Sequence, residues 1–209
     1  MKKYLDKLKK KLYFNKNLFV FLFVLVMAGL FAGALFSVIL SDSDKKLVSD
    51  YLNDFFISLS NNKMNLNISF FNTIVFTLGF ALLIWIFGLS IIGVLLVLPF
   101  LFLKSFILGF SVGSIFLNFK FKGIIISLFY IVPHHVVNLL IYILISAYSI
   151  MISYRMITCM RKRKSFDFKL FMSKYSFILI FSLIILSVTS LYESFILPYV
   201  LNFVYNFIK

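Results

Sequence analysis

From Leu18 to Leu40 the chain runs for 23 residues without one charged side chain. As an α-helix such a run is about 35 Å long at about 1.5 Å per residue, enough to cross the roughly 30 Å hydrocarbon core of a bilayer. Two further stretches are as extreme. From Ile68 to Phe119 only Lys104 is charged, and 32 uncharged residues separate Lys122 from Arg155. With 62% of its 209 residues hydrophobic and 13% charged, the chain has more apolar surface than a globule of its size can hide. Soluble domains are roughly half apolar and about a quarter charged, so the surplus here must face lipid. The sequence reads as an all-α, polytopic integral membrane bundle of about five transmembrane helices.

The punctuation of the apolar runs divides them into spans near 18–40, 69–87, 94–117, 134–154 and 176–197, inside a membrane domain of 18–205. Gly88, Ser90 and Gly93 supply the turn between the second and third spans, and Lys120, Lys122 and Gly123 form the next one. The 32 residues after Lys122 would make a helix of about 48 Å, longer than one crossing needs. Pro133 is the natural break. The favoured reading is an interfacial or re-entrant piece over 123–132 followed by a span, and the alternative is one tilted, kinked helix. Pro198 ends the last span, and Tyr199–Lys209 has the character of a short interfacial helix with Asn202 and Asn206 on one face. Ala32-Gly33-Ala34 after a basic start resembles a secretory cleavage site. The apolar run continues past it to Leu40, however, so the segment is expected to stay as a span.

Position matters more than sum for the formal charge of +14. Seven Lys fall within residues 1–16 and seven Lys or Arg within 155–174, together 14 of the 21 basic residues. Short basic segments resist translocation, which assigns both clusters to the cytoplasm and to contact with anionic membrane lipid rather than nucleic acid. Two cytoplasmic clusters require an even number of crossings between them, and the spans give four. The 1–17 segment and the 155–174 loop are then inside, and the 41–67 loop and the C-terminus outside. A single cysteine, Cys159, permits no internal disulfide.

The external 41–67 loop carries Leu47, Val48, Tyr51, Leu52, Phe55, Phe56 and Leu59 at helical spacing, with Asp44 as its expected N-cap. Such an amphipathic helix lies on the membrane or on the other spans; alternatively, Tyr51, Phe55 and Phe56 dock a partner. Gly29 and Gly33 in the first span, and Ser105, Gly109 and Gly113 in the third, form small-residue faces that let helix backbones approach. Packing within the chain is the default use of these faces, and a homo-oligomer or a partner helix is the alternative.

Polar residues inside apolar spans are the candidate intramembrane sites. Lys104 falls mid-span, where an ammonium costs about 2.5–3.5 kcal/mol, so it needs Glu193, carbonyls freed by Pro99, or water; a small shift of the span would instead let it snorkel. Asn72 is expected to bond between helices. Pro133, His134 and His135 mark a break whose imidazoles would satisfy freed carbonyls, and two adjacent His diverge on a helix, so no metal site is expected of the pair alone. The sequence has no Gly-rich phosphate loop, metal-spaced Cys or His set, or serine elbow, and its longest polar stretch is under thirty residues. No cofactor and no catalytic activity are expected. An embedded enzyme using His134 and His135 has no evident nucleophile, whereas a permease or channel subunit draws on Lys104, Pro99 and Pro133 but has no inverted repeat to support it.

The Phe71-Asn72 opening of the second span, the stretch from Phe102-Leu103-Lys104-Ser105 through Gly109 to Gly113, and Ile131-Val132-Pro133-His134 resemble the stage II sporulation protein M family of five-span membrane proteins. The resemblance covers nearly the whole chain. Family members often have Gly where this chain has Ser105, and an acidic residue where it has Asn138. The resemblance implies a role in engulfment during endospore formation, as a scaffold in the septal or engulfing mother-cell membrane that holds the peptidoglycan-remodelling stage II sporulation proteins D and P.

The orientation is open to direct measurement. In a Cys159→Ser background, Ser60→Cys is expected to react with a membrane-impermeant maleimide on intact cells, and Ser165→Cys only after permeabilisation. The reverse pattern would overturn the inside assignment of the basic clusters.

Overall fold

The computed structural model describes residues 16–60, 66–90, 93–161 and 168–200. Most of the basic N-terminal segment, most of the 162–174 stretch at side-chain level, and the Asn202 and Asn206 tail lie outside the described residues. The elements are α1 (Lys16–Ile39), α2 (Asp42–Ser60), α3 (Leu66–Gly88), α4 (Gly93–Arg161) and α5 (Phe168–Leu191); a π-helical turn at Tyr192–Ile196 continues α5 into a last helical stretch to residue 200. No strand occurs among the described residues. Five helical segments are long and apolar enough to cross a membrane.

α4 is two helices joined at a reversal. Lys120, at φ 52° and ψ −130°, is the one non-helical residue inside it, separating an outgoing arm (93–119) from a returning arm (121–161). A side chain at positive φ costs about 1–3 kcal/mol, and the surrounding contacts must hold it there. Gly123 permits the close return, since a Cβ on it would lie 2.6 Å from the Ile115 carbonyl oxygen. The returning arm stays helical through Pro133. This corrects the favoured expectation of a break there. Proline removes one backbone donor and one carbonyl's partner, a local loss that a helix packed on its neighbours can carry.

From Pro133 onward the returning arm is also the central helix, far more buried than the other four spans. Around it the core gathers Leu22 and Val26 from α1, Ala81 and Ile84 from α3, Val97 and Leu101 from the outgoing arm, and Leu186 from α5, against Leu139, Tyr142 and Ile145 of the arm itself. The outer faces are apolar and exposed, with Phe31 at 65%, Phe76 at 74% and Leu95 at 72%. In water such faces would be an aggregation hazard; in a bilayer they are the lipid surface.

Two seams hold the bundle. In the first, α1 lies on the outgoing arm with backbones almost touching. Cβ atoms on Gly29, Gly33, Gly109 and Gly113 would run into Ser105, into the Phe106 carbonyl and Phe110 nitrogen, into the Leu30 backbone, and into Ser37 and Ala34 respectively. The two small-residue faces therefore pack against each other within the chain. In the second, side chains satisfy the carboxyl end of α3. Of its last four carbonyls, Trp85 accepts from the Tyr175 hydroxyl at 2.8 Å and Gly88 from the Ser153 hydroxyl at 2.9 Å. Ile86 and Phe87 accept from the backbone N–H groups of Leu89 and Ser90, each at 3.0 Å. Ser149 adds a bond to the Ile84 carbonyl at 2.8 Å. Helix ends leave four carbonyls without intrahelical donors, and these are provided for by protein alone.

The cap of α2 lies three residues before the expected Asp44. Ser41 lies just before the first helical residue; its Oγ accepts from the Asp44 N–H at 3.2 Å and donates to the Asp44 carboxylate at 2.6 Å. Asp44 is thus the third helical residue, bonded to the cap rather than the cap itself, because the short serine side chain reaches forward to the helix's unpaired N–H groups. α2 docks by Phe56, which is 3% exposed in a second core with Ile115, Ile126 and Leu197 and meets Phe119 edge-on at 5.1 Å. Ser49 also donates to Asn118 Oδ1 at 2.8 Å.

Glycine substitutions test the first seam. Gly33→Ala puts a methyl group against backbone atoms that cannot rotate away, and a loss of about 1–3 kcal/mol is expected. Gly79→Ala, with nothing within 4 Å of the new Cβ, is expected to be neutral or to stabilise by up to about 1 kcal/mol. Trp85, the sole tryptophan, stacks on Tyr175 at 5.3 Å, and its fluorescence reports unfolding in detergent.

Candidate functional site

The polar residues of the spans meet in one place. Lys104, on the outgoing arm, directs its ammonium to the faces of Phe80 from α3 at 5.4 Å and Tyr142 from the returning arm at 6.0 Å. These cation–π contacts offset part of the loss of hydration. Glu193, carried by the π-helical turn, lies within electrostatic reach of the same ammonium. Its carboxylate is also 3.6 Å from His134 Nε2. Glu193 is thus placed to offset the Lys104 charge at a distance, while the two aromatic rings are the groups that face the ammonium directly. The side chain stays half-buried inside the bundle rather than reaching for an interface.

His134 and His135 do not diverge as their sequence adjacency suggests. Their ring centroids are 4.0 Å apart with planes tilted by 42°, and His134 also faces the Tyr192 ring at 6.2 Å. His134 is buried at 1% exposure. One turn further along the arm, Asn138 meets Thr189 of α5, with Oδ1 and Oγ1 2.6 Å apart. The threonine hydroxyl has a single proton to share between Asn138 and the Leu186 carbonyl at 2.9 Å. The π-helical turn brings Glu193 to this cluster: its wider spacing begins immediately after Leu191, at Tyr192, and re-aims the side chain.

Other candidates fall elsewhere. Asn72 is exposed on α3, and the expected interhelical bond is not formed among the described residues. Pro133 itself is exposed on the returning arm. Of the aromatic residues considered for docking, Phe56 is removed by burial, Phe55 is half-buried against it at 5.4 Å, and Tyr51 is 73% exposed. Burial makes Phe56 an anchor of α2, which corrects its assignment to a docking face. Sequence reading gave no weight to Thr189 and Tyr142, because a threonine or tyrosine in an apolar span is common and only the contact gives it a role.

A strand-free bundle with five membrane-length helices, an apolar exterior and an internal polar cluster defines a polytopic helical membrane protein. Residues 19–198 match the family described as Stage II sporulation protein M (SpoIIM), and the chain belongs to that family. It is thereby a multi-pass membrane protein of a sporulation family. No curated protein and no solved structure matches it.

Thr189→Val removes the hydroxyl while keeping shape, leaving Asn138 buried with one fewer partner. An intramembrane hydrogen bond of this kind contributes about 0.6–1.7 kcal/mol. A loss in that range is expected in detergent unfolding, and Thr189→Ser is expected to restore most of it.

Proposed function

We propose that the protein is a membrane scaffold in endospore formation. It anchors peptidoglycan-remodelling proteins of the stage II sporulation D and P kind and localises them at the septal or engulfing membrane. The observation that carries this reading is membership of the sporulation family across residues 19–198. The exposed part of α2 supports it physically. Leu47 and Tyr51 stand out at 68% and 73% exposure on a helix whose opposite face is pinned by Phe56. A fixed helix with a protruding tyrosine presents apolar area at little entropic cost, the property of a contact anchor. With the basic clusters held in the cytoplasm, α2 lies on the outer side, where wall chemistry takes place. The scaffold performs no catalysis of its own and needs no cofactor.

A permease subunit is the second reading, favoured by the Lys104–Glu193–His134 cluster, since ionisable groups inside spans line solute and ion paths. Lys104→Met separates the two: a scaffold keeps recruiting its partners and supporting engulfment, whereas a permease fails although it inserts normally.

Leu47→Asp with Tyr51→Asp is expected to abolish co-purification of the wall-remodelling partners from sporulating cells and to arrest engulfment, with membrane abundance unchanged. Normal engulfment in a strain lacking the gene would overturn the scaffold.

A further inference from the structure

The cluster at the heart of the bundle has a composition that the scaffold reading leaves unused. His134, His135 and Glu193 each offer one ligand atom, and these atoms lie within 4.8 Å of one another. We propose that this His-His-Glu set binds a divalent transition-metal ion of the Zn2+ type, joining the returning arm of α4 to the end of α5.

Chemistry and local geometry support the assignment. Two imidazole nitrogens and a carboxylate oxygen, with a fourth position open, form a donor set that suits Zn2+, whose bonds of about 2.0–2.2 Å place tetrahedral ligands about 3.3–3.6 Å apart. Contraction from the present spacing is within the reach of side-chain rotation, because His134 Nε2 and the Glu193 carboxylate are already 3.6 Å apart. The helix that carries Glu193 is irregular where it supplies its ligand, and the one that carries the histidines has a proline beside them. Pro133 immediately precedes the histidine pair, and Glu193 sits in a π-helical turn, a feature often found at functional sites. Without that turn the α5 helix would present a different face at position 193. Asn138 and Thr189, bonded to each other one turn away, fix the two helices in register beneath the site.

Lys104 opposes the ion. Its ammonium lies within electrostatic reach of both Glu193 and His135, so metal affinity is tempered by a neighbouring positive charge. That repulsion distinguishes a metal site from a simple ion pair between Lys104 and Glu193. Removing Lys104 would leave Glu193 without its counter-ion in the second case, but would strengthen metal binding in the first.

The test uses tag-free, full-length protein in detergent, dialysed against Zn2+ and assayed for bound metal by elemental mass spectrometry. One equivalent per chain is expected. At least tenfold weaker binding is expected for His135→Asn and for Glu193→Gln, and binding at least as tight as wild type for Lys104→Met. X-ray absorption at the zinc edge of the unaltered protein keeps the proposal testable if a variant fails to fold. The chain has only two histidines and one cysteine, so a shell with two imidazoles and no sulfur identifies this site. Absence of bound Zn2+ in the wild type, a shell containing sulfur or lacking both imidazoles, or unchanged affinity in the two ligand variants would overturn the proposal.

Discussion

The contact between α1 and the outgoing arm of α4 brings two backbones together where most helix pairs are held apart by side chains, and the rest of the bundle is arranged around that pair. In lipid the tails are as apolar as leucine, so burying more leucine gives little association energy. Close approach supplies dispersion contacts instead. Gly29 and Gly33 on one side and Ser105, Gly109 and Gly113 on the other clear the space for them. Once the pair is set, Lys104 has a fixed direction, because it neighbours Ser105 and must point away from the seam into the bundle. Phe80 and Tyr142 are then the groups that face it, with Glu193 within electrostatic reach.

The second organising constraint is the backbone itself. Every carbonyl in a bilayer needs a donor from the protein, and the carboxyl end of α3 shows how one chain provides them. Tyr175 and Ser153 donate to two carbonyls from other helices, and the turn after Gly88 donates to two more. Tyr175 also bonds Ser149 at 3.0 Å, so α3, α4 and α5 share a single network at this end of the bundle. The opposite end is closed differently, by aromatic packing of Phe56 on Phe119 and by α2 laid across the reversal at Lys120. A hydrogen-bonded end and an apolar end differ in what they tolerate: the first depends on exact donors, the second on volume.

Much of the fold was legible because a membrane simplifies the code. Uncharged runs of helical length have one stable fate in lipid, and the all-α bundle follows from them. Small residues at four-residue spacing announced faces able to approach closely, but nothing in a glycine names its partner, so the pairing of α1 with the outgoing arm required the structure. Pro133 misled because a missing N–H was weighed more heavily than the packing of the helix around it. Lys104, His134 and Glu193 each stood out as polar residues in apolar surroundings. A pairing of Lys104 with Glu193 was one of the expectations, but the approach of His134 to Glu193 was not legible, since it depends on a π-helical turn that leaves no signature in Tyr192–Ile196. Asn138 and Thr189 were quieter still, being ordinary residues made significant by a 2.6 Å contact.

The length of the returning arm carries a geometric consequence. Residues 121–161 form one helical path of about 62 Å at about 1.5 Å per residue. Spanning helices incline by up to about 40°, and at that inclination the path still rises about 47 Å, slightly more than the roughly 40–45 Å of a bilayer with its headgroups. A bend at Pro133 changes the direction of the path but not its contour. A straight rod of this length therefore overruns the bilayer, and a bend shortens its rise. Its first turns, where Phe121 is 82% exposed and Ile124 and Ile125 nearly half so, carry greasy side chains into the zone where lipid meets water. Inclination, a bend at Pro133 or local thickening of the leaflet can each cover them, so the length of this arm ties the posture of the protein to the thickness of the membrane in which it sits.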